Sequence, residues 1–255
     1  MNRNNKEGKI MDENIDNSCT ATMELEREEF IVGDVQALIF DFDGLLVDTE
    51  TCMFRAWEAL MEPYGVEVSQ IKIAGLVGNA MPATYLYQQY RQVSGETLTN
   101  DEIDKRLYDK AYRLVESMSE RDSVREYLDF AKSKAFKVAL ATSSSSEHYL
   151  PILTRLNLVH YFDCFVGAEE IALTRRKPQP DVYLAALKKL GVSAHQAIAF
   201  EDSPPGVKAA RTAGIPTVAV TNLLTRHLDV SLANVVLSSM NEQTLPQLIN
   251  KLTEK

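Results

Sequence analysis

With 255 residues, 45% of them hydrophobic and 25% charged, the chain has the make-up of an ordinary globular protein, with material for one substantial core and a smaller second one. Its 36 acidic residues outnumber 27 basic ones, giving a formal net charge of −9, and no basic stripe with interleaved aromatics occurs. This argues against nucleic acid or an anionic membrane surface as a partner. The same acidity repels a phosphorylated ligand at long range, so a phosphate site must carry its own local positive charge.

Residues 1–33, rich in Asn, Glu, Asp and Lys, have neither the apolar core of a signal peptide nor an Arg-rich, acid-poor transit character, and read as a disordered extension. No apolar run approaches the ~20 residues needed to span a bilayer. Cys19, Cys52 and Cys164 are widely spaced and form no CxxC or Cys/His pattern, as expected of incidental thiols in a reducing compartment. A cytoplasmic protein is expected, and a monomer.

The run 35–40 is short and mostly apolar and predicts a buried strand. Two carboxylates, Asp41 and Asp43, then arrive at its C-terminal end with Gly44 directly after them. Unpaired acids cannot fill a core. A divalent cation and a phosphate held at the strand end explain both the charges and the glycine bend.

From residue 49 to about 120 the pattern is helical. Met53, Trp57, Leu60 and Met61 recur at helical spacing and Tyr64-Gly65 closes that helix; further helices are predicted over 80–92 and 101–118. From residue 122 strand and helix alternate. Helices are predicted at 124–133, 147–156 and 181–190, the last ended by Gly191, and another from Pro204 or Pro205 to Gly214. Strands are predicted at 136–141, 164–166, 197–200 and 216–220. The alternation predicts an α/β protein with a doubly wound, parallel, Rossmann-like sheet and a helical insert after its first strand. Residues 34–48 and 121–255 make the core and 49–120 the insert. Asp41, Thr142 and Asp202 each end a predicted strand, so they share the sheet edge where ligands bind.

Four segments, Asp41-Phe42-Asp43-Gly44, Ala141-Thr142-Ser143, Lys177-Pro178-Gln179-Pro180-Asp181 and Phe200-Glu201-Asp202-Ser203, resemble the four motifs of the haloacid dehalogenase-like hydrolases, in family order. Asp48-Thr49-Glu50, Phe54-Arg55-Ala56-Trp57 and the stretch through Pro204-Pro205-Gly206-Val207 are similar to the β-phosphoglucomutase-like branch. The resemblance implies Asp41 as nucleophile, forming an aspartyl-phosphate, and Asp43 as acid and then base. It implies Mg²⁺ held by Asp41, the Asp43 backbone carbonyl and Asp202, with Glu201 a direct or an indirect ligand. Lys177 would neutralise the phosphoryl group, and Thr142 and Ser143 would bond its oxygens through hydroxyl and backbone N–H groups.

The helical insert resembles the family's mobile cap, with Asp48 and Thr49 at the hinge. The segment 74–81 reads either as a substrate-facing loop or as a plain helix-linking turn. Tyr85, Tyr87 and Tyr90 read as packing, with stacking on a sugar or base as the alternative. Ser144, Ser145 and Ser146 read as caps of the next helix, and Arg175 and Arg176 as a solvated turn. His148, His160, His195 and His227 share no ligand spacing and are given no catalytic role. Arg121-Asp122-Ser123 stands where many relatives carry a Pro-Gly turn and is expected to affect only that turn.

The function implied is a Mg²⁺-dependent phosphatase acting on a small phosphorylated metabolite resembling a sugar phosphate. A sugar phosphomutase is the alternative. Against it, Met53 stands where those enzymes carry a histidine that couples cap closure to the acid/base, and Met81 where they carry an arginine for the distal phosphate. A non-catalytic binding protein on the same fold would be expected to lack one of Asp41, Asp43, Lys177 or Asp202, and all four are present.

Overall fold

The computed structural model of the chain describes residues 34–77 and 84–253. The expected extension 1–33, Cys19, the start of the helix expected at 80–92 and Met81 lie outside the described residues. Ala37–Phe40 (β1) is four buried apolar residues in a row, the pattern of a strand covered on both faces. The chain then leaves the sheet for Thr49–Met61 (α1), Gln70–Ala74 (α2), Thr84–Ser94 (α3) and Asn100–Ser117 (α4). It returns through Val124–Ser133 (α5), Lys137–Ala141 (β2), Ser146–Arg155 (α6), Cys164–Val166 (β3) and Asp181–Leu190 (α7). Ala197–Glu201 (β4), Pro204–Thr212 (α8), Thr217–Val220 (β5), Val235–Leu237 (β6) and Leu245–Thr253 (α9) complete it.

The six strands form one parallel sheet in the order β3-β2-β1-β4-β5-β6. β1 lies between β2 and β4, with Ile39 in register with Ala139 on one side and Ala199 on the other. The strand order reverses there, which opens the crevice at the C-terminal edge where α/β sheets hold ligands. One face is paved with alanines, Ala37, Ala139, Ala141, Ala197 and Ala199, and these small side chains admit Tyr183, Leu187, Ala209 and Ala210 from α7 and α8. On the other face Phe40 stacks on Phe200 at 4.8 Å and Tyr127 of α5 meets Phe200 edge-on at 5.7 Å.

The helical insert has a core of its own. α4 buries Ile103, Leu107, Ala111 and Val115, four residues apart, the period of one helix face. Phe54, Trp57, Leu60 and Met61 of α1 and Leu86, Tyr87 and Tyr90 of α3 join that core. α4 begins with a reciprocal capping box between Thr99 and Glu102, and α1 begins where Asp48 Oδ1 accepts the Thr51 N–H at 3.2 Å. No helix among the described residues is long and apolar enough to cross a membrane.

The expected elements are present to within a few residues, but β6, α9 and the five-residue α2 were not anticipated. β6 has only three residues and α2 barely one turn, too short to show periodicity. α9 is different: Leu245, Leu248 and Ile249 are buried at helical spacing, a signal that the sequence does contain.

Candidate active site

Asp41 leaves β1 with its N–H still bonded to Phe200 O at 3.1 Å, so the sheet fixes where its carboxylate begins. The chain then folds tightly: the N–H groups of Leu45, Leu46 and Val47 all point to Phe42 O, at 3.3, 3.0 and 3.4 Å, and Gly44 N–H reaches Val47 O at 2.8 Å. Gly44 has φ +76°, and a Cβ there would sit 2.2 Å from Asp202 Oδ2 and 2.8 Å from Asn222 Nδ2. The glycine is required both by its left-handed backbone and by the approach of two side chains from β4 and β5.

Asp41, Asp43, Thr142, Ser143, Lys177 and Asp202 line one cavity of about 140 Å³, so six of the seven expected site residues meet there from four separate stretches of chain. The seventh, Glu201, is fully buried beside it. Lys177 Nζ, only 6% exposed, donates to Asp41 Oδ1 at 2.5 Å, Glu201 Oε1 at 2.6 Å and the Ala141 carbonyl at 2.9 Å. Tyr183 OH donates to the same Glu201 oxygen at 2.5 Å. Thr142 contributes its hydroxyl, which accepts the Ser144 N–H at 3.1 Å, but its own N–H belongs to the sheet, donated to Val166 O at 3.0 Å. The expectation that Thr142 gives a backbone N–H to phosphate is corrected accordingly: it ends β2 while still inside the ladder.

Carboxylate oxygens of Asp41, Glu201 and Asp202 lie within 4.8 Å of one another, and all three residues are buried. Burial pushes Asp41 up to about 8 against the pull of Lys177, with Glu201 and Asp43 adding to the rise, and it pushes Asp202 well above the carboxylate range. Burial also works against charge on Lys177, but Asp41 and Glu201 overcome it and hold the ammonium above its ordinary value. Ionised together, Asp41, Glu201 and Asp202 would outweigh the one ammonium, Lys177, which bonds the first two, by two negative charges, and that crowding is part of what raises Asp41 and Asp202. A hard divalent cation with oxygen ligands fits that donor set.

Asp43 faces the other way. Its carboxylate accepts from Thr49 Oγ1 at 2.7 Å, Ser144 Oγ at 2.5 Å and His148 Nε2 at 2.9 Å. Burial would raise it, yet these donors, His148 first, hold it below its ordinary value. The bond to Asp43 raises His148 in turn. Burial, together with Asp43, Asp41 and Asp48, pushes Glu50 up to about 8.

His148 was given no role from the sequence, and Ser144 was read as a helix cap. Both instead bond the Asp43 carboxylate. The signal was available: α6 starts at the end of β2, so its first turn stands over the same sheet edge. Ser146 bonds Glu169, at 2.6 Å through its N–H and 2.8 Å through its hydroxyl. Arg121 does more than shape a turn. Its guanidinium donates to Gly44 O at 2.5 Å, Val220 O at 3.1 Å and Thr221 O at 2.6 Å, tying the Asp43 loop to the end of β5. Asn222 was missed although it lies just past a strand end. Its Oδ1 accepts the Leu224 and Thr225 N–H groups, which aims Nδ2 at Asp202 Oδ2, 2.8 Å away. Tyr87 and Tyr90 pack as expected, bonding Asp104 and Glu96. Of the 74–81 segment, Val77 reaches the cavity, and 78–81 lie outside the described residues.

A model of the haloacid dehalogenase-like hydrolases matches residues 38–220. The chain is 35% identical over 189 residues to a phosphorylated carbohydrates phosphatase of Thermotoga maritima, covering 72% of this chain and 84% of that one. It is 31% identical over 224 residues to hexitol phosphatase B of Escherichia coli O157:H7, covering 84% and 97%. Among solved structures, CbbY of Rhodobacter sphaeroides in complex with phosphate superposes with a TM-score of 0.62 at 25% identity, over 82% of this chain and 96% of that one. The four motifs on one sheet edge, the helical insert between β1 and β2 and these matches agree: the chain belongs to the haloacid dehalogenase-like hydrolases, in their cap-bearing branch related to β-phosphoglucomutase and CbbY-like phosphatases.

Proposed function

We propose that the protein is a Mg²⁺-dependent phosphatase of sugar-phosphate-like monoesters that works through an aspartyl-phosphate, with residues 49–120 as its cap. The observation that carries this reading is the pair of unlike carboxylates on one cavity. Asp41 is buried and paired with Lys177, whereas Asp43 sits two residues on in a shell of hydroxyl and imidazole donors. The two acids sit in different surroundings, and a cation bound at Asp41 would favour the ionised form that a nucleophile needs.

In the first half-reaction an Asp41 carboxylate oxygen bonds to phosphorus as the bond to the ester oxygen breaks, and Asp43 delivers a proton to that departing oxygen. In the second, Asp43 takes a proton from water, the water oxygen bonds to phosphorus, and Asp41 leaves as free carboxylate. Lys177 offsets charge on the phosphoryl oxygens, and the Thr142 hydroxyl and Ser143 hold them. Glu201, which accepts from both Lys177 and Tyr183, positions that lysine. A carboxylate ~4 Å from one phosphate charge is opposed by about 4 kcal/mol at an effective dielectric near 20. Mg²⁺ bound by Asp41, Asp202 and the Asp43 carbonyl would offset that repulsion.

Hydrolysis is favoured over phosphomutase chemistry because Met53, which lines the same cavity as Asp43, offers no titratable group. The named activities of the Thermotoga maritima and Escherichia coli relatives support a carbohydrate or polyol ester. Phosphate release from a panel of sugar, polyol and nucleoside monophosphates, with Mg²⁺ and with EDTA, tests the proposal. Mg²⁺-dependent release from the sugar or polyol esters is expected. Isomerisation of hexose 1-phosphates without release, dependent on added bisphosphate, would establish a mutase instead.

A further inference from the structure

A second cavity, of about 470 Å³, adjoins the catalytic one and shares Asp43, Glu50 and Ser144 with it. Its size falls within the range of about 300–1,000 Å³ usual for small-molecule sites. It opens from the Asp43 carboxylate, the group assigned above to the leaving oxygen, and therefore lies where the leaving group must go.

Its two walls differ in chemistry. One belongs to α4, where Tyr108 and Tyr112, one helical turn apart, flank Ala111. The other is polar, formed by Glu50, Ser145 and His148. The α4 tyrosines are unlike Tyr87 and Tyr90 of α3. Tyr87 and Tyr90 are buried with bonded hydroxyls, whereas Tyr108 and Tyr112 are 59% and 54% exposed and present their rings to the cavity. Two large exposed rings on one helix face mark a recognition surface. An aromatic wall facing hydroxyl, imidazole and carboxyl groups matches a sugar or polyol, whose C–H face stacks while its hydroxyls exchange hydrogen bonds. None of the described residues lining this cavity is Lys or Arg, Glu50 faces it, and the cavity's imidazole, His148, is already bonded to Asp43, so a second phosphate finds no fixed cation of its own there.

We propose that Tyr108 and Tyr112 of α4 are specificity-determining residues that form the stacking wall for an uncharged polyhydroxy leaving group, and that the site accepts esters carrying a single phosphate. This rests on the phosphatase reading above. α4 selects the substrate, and the carbohydrate is held by its ring or chain, with the phosphate held separately by the sheet edge.

The test compares kcat/KM for a hexose or hexitol monophosphate with that for acetyl phosphate, whose leaving group is too short to reach α4. In a Tyr108→Ala/Tyr112→Ala variant the ratio of the two is expected to fall about tenfold, mainly through KM. A Tyr108→Phe/Tyr112→Phe variant, which keeps both rings, should hold the wild-type ratio within about twofold. A hexose bisphosphate should be turned over at least about tenfold less efficiently than its monophosphate by the wild type. An unchanged ratio in the alanine variant overturns the stacking wall, and equal use of the bisphosphate overturns the single-phosphate rule. Wild-type hydrolysis of acetyl phosphate alone overturns the assignment of the leaving group while leaving the phosphatase reading intact. Hydrolysis of neither compound defeats the phosphatase reading itself.

Discussion

His148 Nε2 lies 2.9 Å from Asp43 Oδ1, joining the first turn of α6 to the loop after β1 across 105 positions of sequence. The bond holds His148 above its ordinary value of 6.5 and helps to hold Asp43 below its ordinary 3.8. Stability drawn from the raised histidine is complete below 6.5 and is lost as pH rises through its folded value. Stability drawn from the depressed aspartate is present above 3.8 and is lost as pH falls through its folded value. The pair therefore contributes most between about pH 4 and 6.5. His148→Gln should lower the Tm of metal-free protein most near pH 5–6 and least above about pH 8. The imidazole is 41% exposed, so the effect should stay below about 1 kcal/mol and shrink with added salt. A deficit that grows toward pH 8 would contradict the assignment.

Lys177 bridges Asp41 and Glu201 with almost no exposure. Lys177→Met leaves those carboxylates buried without their cation, and a loss of about 3–5 kcal/mol is expected in chemical denaturation. Adding Asp41→Asn to that variant removes one of the stranded charges and should recover part of the loss. Simple additivity of the two changes would mean that the pair is not coupled.

Gly44→Ala combines a left-handed backbone with a Cβ placed 2.2 Å from Asp202 Oδ2. A loss of at least about 2 kcal/mol is expected. Because the contact is with a proposed metal ligand, the variant should also need more Mg²⁺ for half-maximal activity. Wild-type stability and wild-type Mg²⁺ dependence would show that the loop can move aside.

Arg121→Met withdraws the donor from three carbonyls, Gly44, Val220 and Thr221. Orphaned acceptors of this kind cost about 1–3 kcal/mol, and the variant should unfold correspondingly earlier in denaturant. If Arg121 served only its local turn, the change would be close to neutral.

Much of this architecture is legible in the chain because parallel strands carry strong local signals. Ile39 and Phe40 belong to a continuous apolar run, and Gly191 ends α7 at φ +66° as its position implies. Asp41, Thr142 and Asp202 were placed on one edge by a topological rule, and the cavity they line is where that rule puts it. The supporting contacts were only half legible, since chain order brings the start of α6 to the same sheet edge but no further. Whether His148 meets Asp43, or Arg121 meets Gly44, depends on the direction of a side chain across a tertiary gap, which periodicity does not encode. Asn222 was overlooked although the strand-end argument applied to Asp202 applies equally to it. Tyr108 and Tyr112 sit in a helix whose buried stripe is 103, 107, 111 and 115, so their distinction is their exposure.

The central claim is that Asp41 becomes covalently phosphorylated, since of the two buried carboxylates bonded to Lys177 it is the one that lines the cavity. Asp41→Asn should lower kcat by more than about 1,000-fold while leaving the protein folded. The most direct measurement is an acid quench of a single turnover with a ³²P-labelled sugar phosphate and Mg²⁺, one portion mapped directly for label and a second reduced with borohydride before mapping. The account predicts label on the peptide containing Asp41, forming and decaying as fast as phosphate is released, with homoserine at position 41 after reduction. Release of phosphate with no labelled peptide at any time, or label at another residue, would contradict it.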